Sequence, residues 1–575
     1  MNRDDFPTIL VSRRPRRVGE DWTGARSWFG GAPKLGGAPW PRDTKGAPLH
    51  FVAQIDLAEL AAVAGRTLLP RDGALAFFVG GPGAVLHVPR PGRAPLAAPP
   101  ADTADLTSAG AGERWRRDLD GRPLFPYWPI DFTALDLGAA PDDDDDGAVD
   151  AYYAAQKAAI EKRFSRRETG LSAAEAFKGP PFPDYWRIAI QLANDLAAAA
   201  RWGQGSLKMW EAKLSQARAA GDAVETAKAQ SAIDRLTTEL AAKRAANLGF
   251  GAYVAEVAQW IAGRDPWAIM APQDVARLTA LWKRNTEFPD LTGYRGIGGL
   301  DWLKDKTLKA LPQAGSADYA ALPAPVRSLI DAHRAPQPMW GYAAVTYARD
   351  LERAIREGIP RAAKSLDDHL RNDRAALEKL KASGAEKAAE IAKLETLLGT
   401  RERLQSELPA KAAAFRFFAA GFAAHFRTRD LWSRLTDAEV DRLKSAIDTC
   451  KKEFDDFTRY IAPSRIEDLQ TETINAMLTG PERAYAALPE TVRARVNRDY
   501  LLPPGCWHQM FGRGVEIQGE SGAMREEGNL MLLQLSYDYL MQWSFGDCGA
   551  FQFWIQPKDL KRGNWKASQA TFECH

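Results

Sequence analysis

The sequence predicts an α+β protein in which one β-rich domain, built from both ends of the chain, is interrupted by a large, mostly α-helical, internally duplicated insertion. Three observations carry this. The ends are short apolar runs broken by Gly and Pro, which is the pattern of strands and turns. The middle is rich in Ala, Leu, Lys, Arg and Glu, with apolar residues three and four apart, which is the pattern of amphipathic helices. Blocks of that middle recur at a near-constant offset.

Residues 1–150 are read as the first half of the β-rich domain. Gly30-Gly31, Gly36-Gly37, Pro39 and Pro41 punctuate it, and Phe51 to Ile55 and Leu75 to Val79 are its clearest strands. The acidic run Asp142 to Asp146 repels itself and is expected as a solvated loop at the boundary. Residues 151–336 and 337–502 are read as two helical modules, and 503–575 as the second half of the β-rich domain, with strands at Leu530 to Leu535 and Phe551 to Ile555.

Each module is expected to hold an αα-hairpin. One has arms over 205–219 and 223–246 around Ala219-Ala220-Gly221-Asp222. The other has arms over 362–381 and 385–408 around Ala382-Ser383-Gly384. Their flanks are heavily charged, which suits antiparallel coiled coils. Beyond the hairpins, Arg264-Asp265-Pro266-Trp267 corresponds to Arg429-Asp430-Leu431-Trp432, 165 positions on. Tyr319-Ala320-Ala321-Leu322-Pro323 with Arg327 corresponds to Tyr485-Ala486-Ala487-Leu488-Pro489 with Arg493, 166 positions on. Shared Trp, Arg-Asp and Leu-Pro are not what alanine-rich helices share by composition alone, so a duplicated module is expected. Trp267 and Trp432 are expected as core anchors of the two copies. The β ends show a second likeness. Phe51-Val52-Ala53-Gln54-Ile55-Asp56 then Gly73 to Val79 has the same form as Met531-Leu532-Leu533-Gln534-Leu535-Ser536 then Gly549 to Ile555.

Composition excludes several classes. The net charge of +2 over 575 residues gives no global field for nucleic acid. The basic cluster Arg13, Arg14, Arg16 and Arg17 is expected as a solvated arm. The charges in the opening Met1-Asn2-Arg3-Asp4-Asp5 make a signal peptide unexpected, and no apolar run approaches membrane-spanning length. Four cysteines without a CxxC pair make no disulfide framework, so a cytoplasmic setting is expected. The seven histidines are dispersed and no metal set is seen, and Gly293 to Gly299 reads as a connecting loop, not a phosphate loop. No metal or cofactor is expected.

The β segments resemble the YwqG-like (DUF1963) family. The N-terminal residues that carry the resemblance are Leu35-Gly36-Gly37-Ala38-Pro39-Trp40-Pro41, Gln54-Ile55 within Phe51 to Leu60, and Gly73 to Val79. At the C-terminus they are His508-Gln509-Met510-Phe511-Gly512, Gln518-Gly519, Leu532 to Leu535, Gly546-Asp547-Cys548-Gly549, Phe553-Trp554-Ile555 and Asp559-Leu560. The resemblance implies a bacterial protein with a mainly-β roll of two related halves, and no established activity. Where a short connection joins those halves in the family, this chain carries its long helical insertion.

Two constellations are candidates for chemistry. His508, Asp547 and Cys548 offer a His, a carboxylate and a thiol, the parts of a nucleophilic site. Alternatively, Gly546-Asp547-Cys548-Gly549 is only a tight turn. Gln54 and Gln534 sit inside apolar strands at equivalent positions and are candidate ligand-binding residues. Alternatively, their amides bond backbone across the two halves. The aromatic run Phe125-Pro126-Tyr127-Trp128-Pro129 is either an exposed contact patch or part of the β core. The sequence therefore favours a non-enzymatic protein of the bacterial cytoplasm that binds protein partners, or itself, through its helical modules. The alternative is a hydrolase-like enzyme with a pocket near His508, Asp547 and Cys548. Neither nucleic acid nor membrane is expected as a partner.

Overall fold

The computed structural model describes residues 7–65, 69–81, 83–106, 122–138, 141, 145–164, 171–201, 204–292, 299–382, 387–503 and 506–575. Residues Asp142 to Asp144 of the acidic run, Gly293 to Gly298 of the glycine-rich stretch, and Ser383-Gly384 of the second hairpin turn lie outside them. Of the described residues 56% are helical, and they combine a ten-stranded antiparallel near-barrel sheet with a large helical middle region. It divides into two compact units. One is Met1–Phe177 with Gln337–His575, the other Lys178–Pro336.

The sheet strands are β1 (Thr8–Arg13), β2 (Trp28–Phe29), β3 (His50–Asp56), β4 (Ala74–Val79), β5 (Ala84–Val88), β6 (Trp128–Leu135), β7 (Gln509–Met510), β8 (Leu530–Ser536), β9 (Ala550–Ile555) and β10 (Gln569–Glu573). Their spatial order is β10-β9-β8-β7-β1-β6-β2-β3-β4-β5. The order is symmetric about the β1–β6 pair. Outward from it each half has a two-residue strand, a seven-residue strand, a six-residue strand and a five-residue strand. Both seven-residue strands carry a register shift at the same place, between Phe51 and Ala53 and between Met531 and Leu533. An extra residue there bends the strand and raises its twist. The curl brings the two ends of the sheet together. Phe77 of β4 lies 5.1 Å from Phe553 of β9, ring to ring.

Every residue of β3 and of β8 is buried, so these strands are covered on both faces and show no alternation. On one side they pack into a core that includes Val52, Ile55, Phe77, Phe553 and Ile555, together with Trp340, Met477 and Tyr485 from the helical region. Phe125 and Trp128 of the aromatic run belong to this core and are buried.

The basic cluster at the start is not a solvated arm. Arg13 ends β1 and is 2% exposed, and Arg16 is buried too. Arg16 lies between the rings of Trp22 and Tyr485, at 4.7 and 4.5 Å, and donates to the carbonyls of Leu478 and Gly480 at 2.6 and 2.9 Å. A guanidinium can be buried when its fork meets carbonyls and its faces meet aromatics. Sequence spacing cannot reveal those partners, because they come from more than 450 residues away.

Helix α1 (Asp146–Arg163) follows β6. The unit Lys178–Pro336 contains α2 (Trp186–Ala200), the hairpin α3 (Gln204–Ala219) and α4 (Ala223–Ala246), then α5 (Phe250–Ile261) and α6 (Pro272–Lys283). The hairpin turns at Gly221, whose φ of +67° suits glycine. Asp222 then caps α4 by accepting from the amides of Val224 and Glu225, each at 3.0 Å.

Residues 337–502 follow a similar order: α7 (Gly341–Arg353), α8 (Ile359–Ala382), α9 (Ala388–Phe426), α10 (Asp437–Glu453) and α11 (Ile466–Thr479). Arg374 and Glu402, at 2.8 Å, and Lys381 and Glu395, at 2.9 Å, pair across the α8–α9 hairpin. The second arm does not stop near 408. It runs through Pro409 to Phe426, because proline's fixed φ is helical and the carbonyl it leaves unpaired is on an exposed stretch.

Local bonding is alike in the two helical regions. Trp186 N–H donates to Ala268 O at 3.0 Å and Arg187 N–H to Pro266 O at 2.8 Å. Gly341 N–H donates to Ser433 O at 2.9 Å and Tyr342 N–H to Leu431 O at 2.7 Å. Asp265 accepts from Trp267 N–H at 3.0 Å, and Asp430 from Trp432 N–H at 3.2 Å. Arg327 donates to Ala320 O at 2.8 Å, and Arg493 to Ala486 O at 2.9 Å.

Candidate functional site

Of the candidate residues, His508 and Gln534 lie on the C-terminal half of the sheet, Gln54 lies on the N-terminal half, and Asp547 and Cys548 lie in a turn. His508 precedes β7 and is wholly buried. Ser536 N–H donates to its Nδ1 at 3.1 Å, so Nε2 carries the proton, and Nε2 lies 2.9 Å from Asp538 Oδ2. Asp538 also takes a bond from Arg13, whose other terminal nitrogen donates to Tyr500 O. Its second oxygen accepts from the amides of Leu540 and Met541 at 2.9 and 3.2 Å. The rings of Phe29 and Trp543 stand edge-on to His508 at 5.0 and 5.3 Å.

This is a sealed ion-pair cluster. Burial holds the His508 pKa below its ordinary value, and the nearby Arg13 charge acts the same way, so the imidazole is neutral. Burial alone pushes the Asp538 carboxyl up, but Arg13, then His508 and the Met541 amide, hold it below the usual carboxylate range. Both shifts give the same sign of acid sensitivity. An unfolded His takes up a proton as pH falls below about 6.5, and His508 in the folded chain does not, so stability declines from there. Asp538 adds to the loss once pH falls below the ordinary carboxylate range. Thermal melts from pH 7.5 to 5.0 should show a falling midpoint, and His508→Gln should flatten that slope. An unchanged slope in the variant assigns the acid sensitivity to other groups, of which His50, with its pKa also lowered by burial, is the first.

Asp547 and Cys548 are not partners of His508. They sit in an exposed turn. Asp547 O accepts from His575 N–H at 3.0 Å, and Gly549 N–H donates to Phe545 O at 2.7 Å. A Cβ on Gly549 would lie 2.2 Å from Glu573 O, and Gly546 has φ of +56°, which accounts for both glycines. The carboxylate that meets His508 is Asp538, which sequence reasoning misses. An Asp just after an apolar strand gives no sign of its partner 525 residues earlier.

Gln54 and Gln534 do not bond across the two halves. Each binds a loop of its own half. Gln54 Oε1 accepts from Lys34 N–H at 2.7 Å. Gln534 Oε1 accepts from Val515 N–H at 2.6 Å and its Nε2 donates to Trp507 O at 2.8 Å. Beside Gln534 a cavity of about 330 Å³ opens, lined by Tyr153, Gln156 and Lys157 of α1 and by Trp507, Gln509 and Val515. Gln54 does not line it.

A family model described as a domain of unknown function, DUF1963, matches residues 27–85 and 402–574. Over these two stretches, which hold most of the β-rich ends, the chain matches the DUF1963 family. The DUF1963 match starts earlier than the C-terminal strands alone imply. It takes in residues 402–426 of α9 and all of α10 and α11, so 86–401 is the stretch between the two matched blocks. No curated protein matches the chain, and no solved structure does. Among the described residues no group of three His, Cys, Asp or Glu side chains is placed to hold a metal, and no helix is long and apolar enough to cross a membrane.

A second hollow lies on the helices, within the DUF1963 match. A mainly apolar cleft of about 600 Å³ runs between α9 and α10, lined by Phe417, Phe418 and Phe422 on α9 and by Ala438, Ala446 and the polar Asp441, Arg442, Ser445 and Thr449 on α10. Phe417 stands at its edge, 85% exposed.

Proposed function

We propose that the protein is a non-enzymatic binding protein of the bacterial cytoplasm whose helical region 337–502 makes protein contacts, first of all with a second copy of itself. The exposed Phe417 beside an apolar cleft carries this reading. A knob and a hollow on one face are self-complementary, so two copies related by a twofold axis can each place Phe417 in the other's cleft. A fully exposed large aromatic next to an apolar hollow is the feature that marks interaction sites on a soluble surface. The sealing of His508 supports the non-enzymatic reading over a hydrolase, since both its ring nitrogens are engaged and no substrate reaches them. All four cysteines are free, which suits a reducing compartment. We read 337–502 as a second copy of the preceding helical module, on the strength of their matching hydrogen bonds.

Sedimentation of the full chain across a concentration series tests the contact. The expected result is a dimer. Burying a phenyl ring is worth about 2 kcal/mol, and a twofold contact buries two, so Phe417→Asp should weaken association roughly a thousandfold. Folding should be untouched, because the side chain is exposed. A wild-type chain that stays monomeric throughout, or a variant that dimerises equally well, sinks the proposal.

A further inference from the structure

The two halves of the sheet differ at one register level. In the N-terminal half, neighbouring strands place Trp28, Gln54, Ala76 and Leu86 side by side. In the C-terminal half the matching positions are Gln509, Gln534, Gln552 and Thr571. Only the glutamine of the seven-residue strand is shared. The first row lies in an apolar cluster with Leu35, Leu49 and Phe78. The second row is polar throughout and buried. The same architecture therefore closes with a single amide among apolar side chains in one half, so the fold does not require a full polar row in the other. Buried amides are costly unless bonded. Here they bond each other: Gln552 donates to Gln534 at 3.0 Å, and Gln156 of α1 donates to Gln509 at 2.6 Å. The cavity of about 330 Å³ opens over this row, with Gln509 and Gln534 in its lining.

Gln156 is the group a ligand would meet. It is 2% exposed, lines the cavity, and gives one N–H to Gln509, while its Oε1 and second N–H face no protein partner among the described residues. A carboxamide fixed at one end displays an acceptor and a donor side by side. Such an edge recognises the complementary edge of a planar heterocycle, as glutamine does with adenine. Trp507 and Val515 supply apolar wall, and the volume is at the small end of ligand pockets. Among the described residues Lys157 is the only cation in the lining, and it is 60% exposed, 4.0 Å from Glu161.

We propose that this cavity binds a small, neutral, planar heterocycle of nucleobase size through the free edge of Gln156, over the floor formed by Gln509 and Gln534. The proposal is independent of the contact at Phe417. It is tested by calorimetry and by saturation-transfer NMR on the full chain. The probes are adenine, uracil and nicotinamide, with cyclohexanol and benzoate as apolar and anionic comparisons. At least one heterocycle should bind, and neither comparison should match it. Gln156→Leu should weaken that binding about tenfold, the loss of one or two hydrogen bonds. Ala154→Trp fills the mouth from an exposed position on α1 and should abolish it, with an unchanged far-ultraviolet circular dichroism spectrum and melting midpoint showing an intact fold. Three results overturn the proposal: no heterocycle binds, either comparison binds as well or better, or binding survives both substitutions.

Discussion

Asp538→Ala will destabilise the β-containing unit by about 3–5 kcal/mol, the usual cost of breaking a buried ion pair by removing one partner. The change leaves the Arg13 guanidinium at 2% exposure with no carboxylate. It also removes the Nε2 partner of His508 and the acceptor for the Leu540 and Met541 amides. Water cannot replace these groups without prising apart the rings of Phe29 and Trp543. The charge itself matters more than the pair's net worth. Arg13→Met with Asp538→Leu should therefore recover much of the loss, because no charge is then left buried. Native-state hydrogen exchange of the β7 and β8 amides measures the opening of this region without interference from the other unit. A loss under about 1 kcal/mol for Asp538→Ala shows the pair to be solvated and the sealed-cluster description to be wrong.

Gly30→Ala should cost a similar amount for a different reason. Gly30 follows β2 with φ of +57°, and its N–H donates to Val52 O at 2.8 Å. A Cβ there would lie 1.9 Å from Pro126 O and 3.0 Å from Phe125 O, both backbone atoms that cannot swing aside. The left-handed conformation contributes about 1–2 kcal/mol and the displaced backbone about 1–3 kcal/mol more. Gly46→Ala separates the two contributions. It has φ of +85° and open space around the added methyl, so it should show the conformational cost alone. Denaturant midpoints for the two variants decide it. Equal losses leave no room for the clash.

Much of the architecture is legible in the sequence because it rests on short-range signals. Phe51 to Ile55, Leu75 to Val79, Leu530 to Leu535 and Phe551 to Ile555 are apolar runs bounded by turn residues, and each is a strand. The first hairpin falls almost to the residue where its spacing puts it, since Gly221 and Asp222 form its turn and cap. The second arm of the other hairpin is longer than its sequence suggests, because a proline reads as a stop although its backbone angle is helical. Strand β7 has two residues, too few for any periodicity, yet it brings His508 and Gln509 into place.

The candidate site is legible only in part. Gln534 stands out because an amide in an apolar strand needs partners, and it lines the cavity. Gln156 does not, because on α1 it is one polar residue among many; its burial comes from docking against β7. Arg13 reads as part of a solvated arm because neighbouring arginines are usually exposed. Asp547 draws the eye in a motif-like turn, whereas Asp538 has nothing around it in sequence to mark it.

The sequence by itself determined the element types, the split β-rich ends and the family they match, since periodicity, turn chemistry and ordered motifs are all local. Only the tertiary structure decided which charges are buried, that a cavity opens beside Gln534, and where an aromatic ring is left in the open. Those outcomes depend on contacts between residues hundreds of positions apart, such as Arg13 with Asp538 and Gln156 with Gln509, and burial is a property of such contacts, not of any stretch of chain.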